Sequence, residues 1–253
     1  LTFENYDYLC TMTLTTQIRN RIKQFPEGKT FGYDDLRIAK EDYTTASKTL
    51  ERLQKSGLIK KISKGVFYRP KQTIFGELPP NYSVLLQDLY LFENGKRIGY
   101  VTGTSLYNQL YLTTQIPFST KIATNKRRGK VTLGWEKATF TKAYTEVTEN
   151  NYKLLGLLDA LKDFKKIPDL DKNSAIKILS TKLKELNPTE IKLLIKCGLA
   201  YPPRVRSFLG ALLENIKTEN DLTALKTSLN PLSEYEYGIG NRQLPTAENW
   251  NIK

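Results

Sequence analysis

The stretch DYTTASKTLERLQKSGLIKKISKGVFY, residues 42–68, decides the fold of the N-terminal part. Ala46, Leu50 and Leu53 recur at helical spacing, which predicts a helix over residues 43–56 with one apolar stripe. Asp42 stands just before it and is expected to cap it, its carboxylate accepting from the free amides of the first turn. Ser56-Gly57 ends it, because glycine takes the left-handed position after a last helical turn at least cost. Two short β runs follow, residues 58–62 and 66–68, around Ser63-Lys64-Gly65, so a hairpin is predicted.

Working outward, Leu14, Ile18, Ile22 and Phe25 mark a helix over residues 15–24 that Pro26-Glu27-Gly28 stops. Lys29-Thr30-Phe31 reads as a short strand, and a short second helix from Gly32 onward is expected to bury Leu36 and Ile38. The resulting order is helix, short strand, helix, helix, hairpin, the layout of a winged helix-turn-helix. Residues 1–13 lack clear periodicity and read as an arm.

With its stripe inward, the 43–56 helix presents Tyr43, Thr44, Thr45, Ser47, Lys48 and Arg52 outward. Hydroxyls and long basic side chains reach phosphate oxygens, and Thr, Ser, Lys and Arg also contact base edges in a major groove. The wing adds Lys60, Lys61 and Lys64. Between Lys48 and Lys71, eight basic residues (Lys48, Arg52, Lys55, Lys60, Lys61, Lys64, Arg69 and Lys71) face one acid, Glu51. The whole chain carries 39 Lys and Arg against 26 Asp and Glu, a net of +13, so more than half of its surplus is concentrated here. Double-stranded DNA is the expected partner, with binding that weakens steeply in salt as counterions are displaced. A solvated basic face on a winged domain used for protein contacts is the other reading of the same residues.

The remainder of the 253 residues reads as a second domain. A linker is expected over residues 69–80, then strands near 97–101, 121–124, 130–133 and 139–141, with a short helix at 103–110. Helices follow at 152–164, 173–186, 188–196 and 203–214, and the tail from Asn230 onward carries Pro, Gly and Asn. The fold class is therefore α+β, an N-terminal winged helix-turn-helix followed by a mixed strand-then-helix C-terminal domain. Boundaries fall at 14–75 for the DNA-binding domain, 76–230 for the α+β domain and 231–253 for the tail.

The chain has two cysteines, Cys10 and Cys197, and no histidine. There is no disulfide framework or zinc spacing, which fits a reducing cytoplasmic compartment. No apolar run approaches the roughly 20 residues a bilayer demands, and no signal-peptide pattern opens the sequence. Without histidine there is no imidazole base, no Ser-His or Cys-His pair and no His-ligated metal. Cys197, among Ile195, Gly198 and Leu199, reads as a small buried hydrophobe. Asp159 and Asp163, four apart on a Lys-rich helix, and Asp169 and Asp171, flanking a turn, are explained by helix solubility and capping. Gly95, Gly99 and Gly103 lack the spacing of a phosphate-cradling loop. No catalytic residue, metal site or cofactor is expected.

A second basic cluster comprises Lys121, Lys126, Arg127, Arg128, Lys130, Lys137 and Lys142. Its Asn125-to-Gly129 run reads as a polar turn, an extension of a DNA footprint, or a surface for an acidic partner. In the run from Tyr201 to Glu214, Val205, Phe208, Leu209 and Leu212 make a core stripe, while Gly210 and Ala211 permit close approach of another helix. Arg204 and Arg206 sit near the positive end of that helix, where cations are disfavoured, so acids of this chain or of another protein are expected to pair with them.

Residues 42–68, with VTGTSLY at 101–107 and LTTQIP at 112–117, resemble the AbiEi-type antitoxins of bacterial type IV toxin–antitoxin systems. LLDAL at 157–161, KIPD at 166–169 and the segment from Tyr201 to Glu214 belong to the same pattern, and the match covers roughly residues 15–215. The resemblance implies a two-part, non-enzymatic protein. Its winged domain would repress its own operon at inverted repeats in the promoter. Its second domain would counter a nucleotidyltransferase toxin encoded alongside, without necessarily holding it in a stable complex, and such proteins often belong to phage-defence loci. Two other readings stay open on the residues: a stand-alone regulator whose second domain senses a ligand, and a nuclease or transferase working through carboxylates and lysines.

Overall fold

The computed structural model describes residues 13–74 and 76–253, so Cys10 and the predicted arm up to residue 12 lie outside the described residues. The fold combines α-helices with β-strands, the last named strand preceding the helices that begin near residue 152. The chain divides into two units, one reaching to Leu85 and including Leu133–Trp135, the other comprising Leu86–Thr132 and Glu136–Lys253.

In the first unit, α1 spans Leu14–Gln24 and is capped by the Thr13 hydroxyl, which accepts from the Thr16 amide at 3.4 Å. It buries Ile18 and Ile22. After β1 (Thr30–Phe31) the expected second helix is absent. Residues 33–37 form a turn closed by bonds from Leu36 N to Tyr33 O and from Arg37 N to Asp34 O, and Arg37 adopts a left-handed φ of 49° that ends any helical path. Leu36 is still buried, while Ile38 is half-buried. A short 3-10 turn, Lys40–Asp42, leads directly into α2, Tyr43–Lys55. Asp42 consequently has helical backbone angles and its side chain makes no capping bond, a correction to the sequence expectation.

The far end of α2 follows the glycine rule. Gly57 has a φ of 75°, its amide bonds to Gln54 O, and Leu58 N returns to Leu53 O, the paired bonds of a Schellman cap. The hairpin β2 (Lys60–Ser63) and β3 (Val66–Tyr68) joins β1 in a three-stranded sheet of order β1-β3-β2. Ile18, Ile22, Phe31, Ala46, Leu50, Leu53, Ile59 and Phe67 fill one core between helices and sheet. Each large member contributes about 1.5–3 kcal/mol by leaving water. Where a linker was expected, a second hairpin forms from β4 (Lys71–Thr73) and β5 (Gly76–Leu78). Three-residue strands are too short to leave an alternating signature.

The second unit begins within α3 (Tyr82–Leu91), followed by a two-stranded hairpin of β6 (Phe92–Glu93) and β7 (Lys96–Arg97). A four-stranded sheet follows in order β10-β11-β9-β8, from β8 (Gly99–Thr102), β9 (Thr120–Thr124), β10 (Gly129–Leu133) and β11 (Glu136–Thr141). Helix α4 (Thr104–Gln109) leaves β8, and β11 runs parallel to β9. The Asn125-to-Gly129 run therefore connects strands that are not neighbours in the sheet.

Five helices complete the unit: α5 (Tyr152–Asp163), α6 (Lys172–Lys184), α7 (Pro188–Gly198), α8 (Pro203–Asn215) and α9 (Thr223–Thr227). Asp171 caps α6 by accepting from Ser174 N at 2.8 Å, and Asn187 with Glu190 forms a reciprocal capping box on α7. Helix α8 lies at the centre, with Val205, Phe208, Leu209 and Leu212 fully buried. The tail packs rather than frays: Tyr237, Ile239, Leu244, Trp250 and Ile252 are buried in the same core. Gly210 on α8 abuts the Trp250 indole so closely that a methyl group there would overlap the ring, so the predicted close approach is made by the tail.

Candidate nucleic-acid interface

Burial of Ala46, Leu50 and Leu53 turns the opposite side of α2 to solvent. Tyr43, Thr44, Thr45, Ser47, Lys48 and Arg52 are all exposed on it. Thr49 is buried instead, its hydroxyl donating to Thr45 O at 2.9 Å and meeting the Thr15 hydroxyl at 3.2 Å. Tyr43 is steadied by Tyr33, with ring centres 5.1 Å apart. A cleft of about 760 Å³ separates this helix from the hairpin, and Ser47, Glu51, Gln54, Lys61 and Lys64 line it with Phe67 at its base.

The predicted cations do not all remain available. Lys60 is held by Glu77 at 2.6 Å, and Glu77 also accepts from the Tyr68 hydroxyl at 2.8 Å. The Lys60 bond, and next the Tyr68 bond, hold the Glu77 carboxyl below its ordinary value, so it is ionised at neutral pH. Lys55 pairs with Glu51 at 2.9 Å. Arg69 is spent inward, donating to the carbonyls of Lys23 and Phe25 at 2.8 and 3.0 Å. Lys48, Arg52, Lys61 and Lys64 have no carboxylate within ion-pair distance among the described residues. The structure thus gathers Lys48, Arg52, Lys61 and Lys64 with the hydroxyls of Thr44, Thr45 and Ser47 around one helix and its hairpin, and places the exposed Lys60 in an ion pair with Glu77.

The second basic cluster is dispersed. Lys126 pairs with Glu93 at 3.1 Å, the Arg127 guanidinium sits 4.9 Å from the Tyr90 ring, and Arg128 is exposed. Arg204 donates to the Lys162 carbonyl at 3.0 Å, and Arg206 Nε is buried without a partner. Neither forms an ion pair with an acid of this chain among the described residues, so the expected pairing inside the chain is not found.

Sequence reasoning missed one constellation altogether. Asp159 is not a solvated helix acid but is 1% exposed. Its Oδ2 accepts from Thr102 at 2.7 Å and Tyr100 at 3.0 Å, and its Oδ1 from Lys162 at 2.6 Å and Tyr201 at 3.2 Å. Asp163 accepts from Tyr107 at 2.7 Å. Burial, reinforced by the Asp159 charge, pushes the Tyr100 and Tyr201 hydroxyls far above the usual tyrosine range, so both stay protonated donors. A carboxylate with four donors is fully satisfied, which makes this a locking network between β8, α5 and the segment before α8. Burial also raises the Cys197 thiol, consistent with the expected inert, packed cysteine. No group of three potential metal ligands occurs among the described residues.

No curated protein matches the chain. A solved structure similar to it is that of the RV2827C protein from Mycobacterium tuberculosis, at 12% identity over 88% of this chain and 84% of that one, with a TM-score of 0.47. The model of the family described as "Family of unknown function (DUF6088)" matches residues 17–187, more than half of the sequence. The chain therefore belongs to the DUF6088 family.

Proposed function

We propose that the first unit is a winged helix-turn-helix that binds duplex promoter DNA, with α2 in the major groove and the β2–β3 hairpin as its wing. The observation that carries this reading is the set of unpaired cations, Lys48, Arg52, Lys61 and Lys64, placed with Thr44, Thr45 and Ser47 around one exposed helix. Cations already neutralised by carboxylates would contribute little to phosphate binding, because counterion release needs free charge. Tyr43 supplies an apolar edge, and Lys60 serves the fold by holding the second hairpin.

Extended by the AbiEi resemblance, the reading is of an antitoxin that represses its own operon and, through the second unit, counters a nucleotidyltransferase toxin. It acts in the cytoplasm and carries out no catalysis itself. No described helix is long and apolar enough to cross a membrane. The test is a footprint and titration of the full chain on its own upstream region at several salt concentrations. Tight binding that weakens linearly on a log–log salt plot, and collapses in Lys48→Ala/Arg52→Ala, is expected. Equal affinity for unrelated duplexes at every salt concentration would overturn promoter recognition, and failure to relieve the neighbouring gene's toxicity on co-expression would overturn the antitoxin assignment.

A further inference from the structure

The four-stranded sheet of the second unit has two unlike faces. Residues paired across strands share a face, so Tyr100 and Thr102 on β8 lie in rows with Ala123 and Lys121 on β9, and these with Thr141 and Thr139 on β11. Lys137 joins that face by alternation. The opposite face carries Ile122, Ala138 and Phe140, all buried, with Tyr90 packed edge-on against Phe140.

On the first face, α5 covers the β8 rows, since Tyr100 and Thr102 bond to Asp159. Cover fades toward β11. Lys121, Thr139 and Thr141 are half-buried and Lys137 is exposed. An aromatic ring stands at each end of this strip. Phe118 is 87% exposed with Lys137 Nζ 4.8 Å from its centre. Tyr144 is 41% exposed, stacked on Tyr201 at 4.2 Å and with Lys162 Nζ 5.3 Å from its centre. Strand β11 from Lys137 to Thr141 covers about 13 Å at about 3.3 Å per residue, and Tyr144 follows three residues on.

We infer that this open sheet face binds single-stranded nucleic acid. Solvent-exposed rings offer stacking surfaces to unpaired bases, and ammonium and hydroxyl groups between them match a sugar-phosphate backbone. Charge favours the same occupant. Glu136 falls on the opposite face by alternation, and Asp159, on the helix that covers the β8 rows, is already saturated by its donors. An apolar protein partner would call for aliphatic side chains on the sheet, whereas the strip between the rings is threonine and lysine. A duplex keeps its bases stacked inside and leaves the rings nothing to stack on. The inference is independent of the duplex reading for the first unit.

The experiment is fluorescence anisotropy of the full chain with a labelled 12-nucleotide uridine-rich RNA, the same sequence as single-stranded DNA, and its duplex. Lys48→Ala/Arg52→Ala, which weakens the first unit's surface, is expected to retain single-strand binding. Phe118→Ala/Lys137→Ala, at two exposed positions, is expected to lose about tenfold or more in single-strand affinity while its duplex affinity holds. Tyr144→Leu, which keeps packing on Tyr201, should lose about fivefold. Equal binding of RNA and DNA would assign recognition to bases and phosphates, and a preference for RNA would add the 2′-hydroxyl; both support the inference. It is overturned if wild type has no single-strand affinity, if the loss follows Lys48 and Arg52 instead, or if poly-glutamate competes as well as RNA and Phe118→Ala changes nothing.

Discussion

The outer face of α2 and the ring of donors around Asp159 are both dense in polar side chains, yet they handle charge in opposite ways. On α2, Lys48 and Arg52 are exposed and have no carboxylate partner among the described residues, and the hydroxyl-bearing Thr44, Thr45 and Ser47 are exposed with them. Around Asp159 each carboxylate oxygen is matched by two donors, and the bonds from Tyr100, Thr102 and Tyr201 are buried. Unpaired groups at a surface add little to folding and are free for a ligand; buried groups must be paired, and once paired they hold elements together. Polar content alone therefore does not locate function, whereas the state of pairing does.

The sharpest way to break this contrast is Asp159→Ala. Four donors would lose their acceptor, and unfolding stability should fall by about 3–5 kcal/mol in a urea titration while duplex affinity stays unchanged in the folded fraction. A loss below about 1 kcal/mol would mean that water substitutes freely and the network locks nothing. Next in size is Lys48→Ala/Arg52→Ala, the mirror image of the first. Stability should shift by no more than about 0.5 kcal/mol, while duplex affinity drops more than about tenfold and the salt slope falls by about two. Tyr100→Phe removes one donor and leaves the others, with an expected cost of about 1.5–3 kcal/mol because its acceptor is charged.

The smallest effect concerns the pair that crosses categories, Lys60 with Glu77. Lys60 lies in the predicted contact set but is spent on the fold, so Lys60→Ala should alter duplex affinity far less than Lys61→Ala measured alongside. Because the Glu77 carboxyl is held below the ordinary 4.5, its contribution is present above that value and is lost as pH falls through the depressed one. Acid titration of wild type against Glu77→Gln should show the two stability curves converging below about pH 4.

The elements on the two sides of this comparison were not equally legible in the sequence. Helix α2, its Gly57 cap and the β2–β3 hairpin follow from stripe spacing and turn chemistry, which are local. Asp42 as a capping residue did not survive, because the 3-10 turn before it continues the helical path. Leu36 was rightly placed inside, but a single buried residue does not make a helix when Arg37 turns left-handed. The Asn94-Gly95 turn of the β6–β7 hairpin was available as a signal, both residues having positive φ, yet strands of two residues gave no alternation to attach it to. Asp159 was the deeper failure. It sits four residues after the fully buried Leu155, on the apolar side of α5, and that position is the clue that it points inward. Its partners Tyr100, Thr102 and Tyr201 lie more than forty residues away along the chain, where no periodic pattern reaches.

The tail gives the two units different timetables during synthesis. The fully buried residues of the first core end at Phe67, so every side chain it needs has left the ribosome while most of the chain is still untranslated. The second core waits for Trp250 to fill the space beside Gly210. At about 5–20 residues per second the interval is on the order of ten seconds or more. During that time a nascent chain would already present the core that runs from Ile18 to Phe67 while the helices behind it still lacked their last wedge.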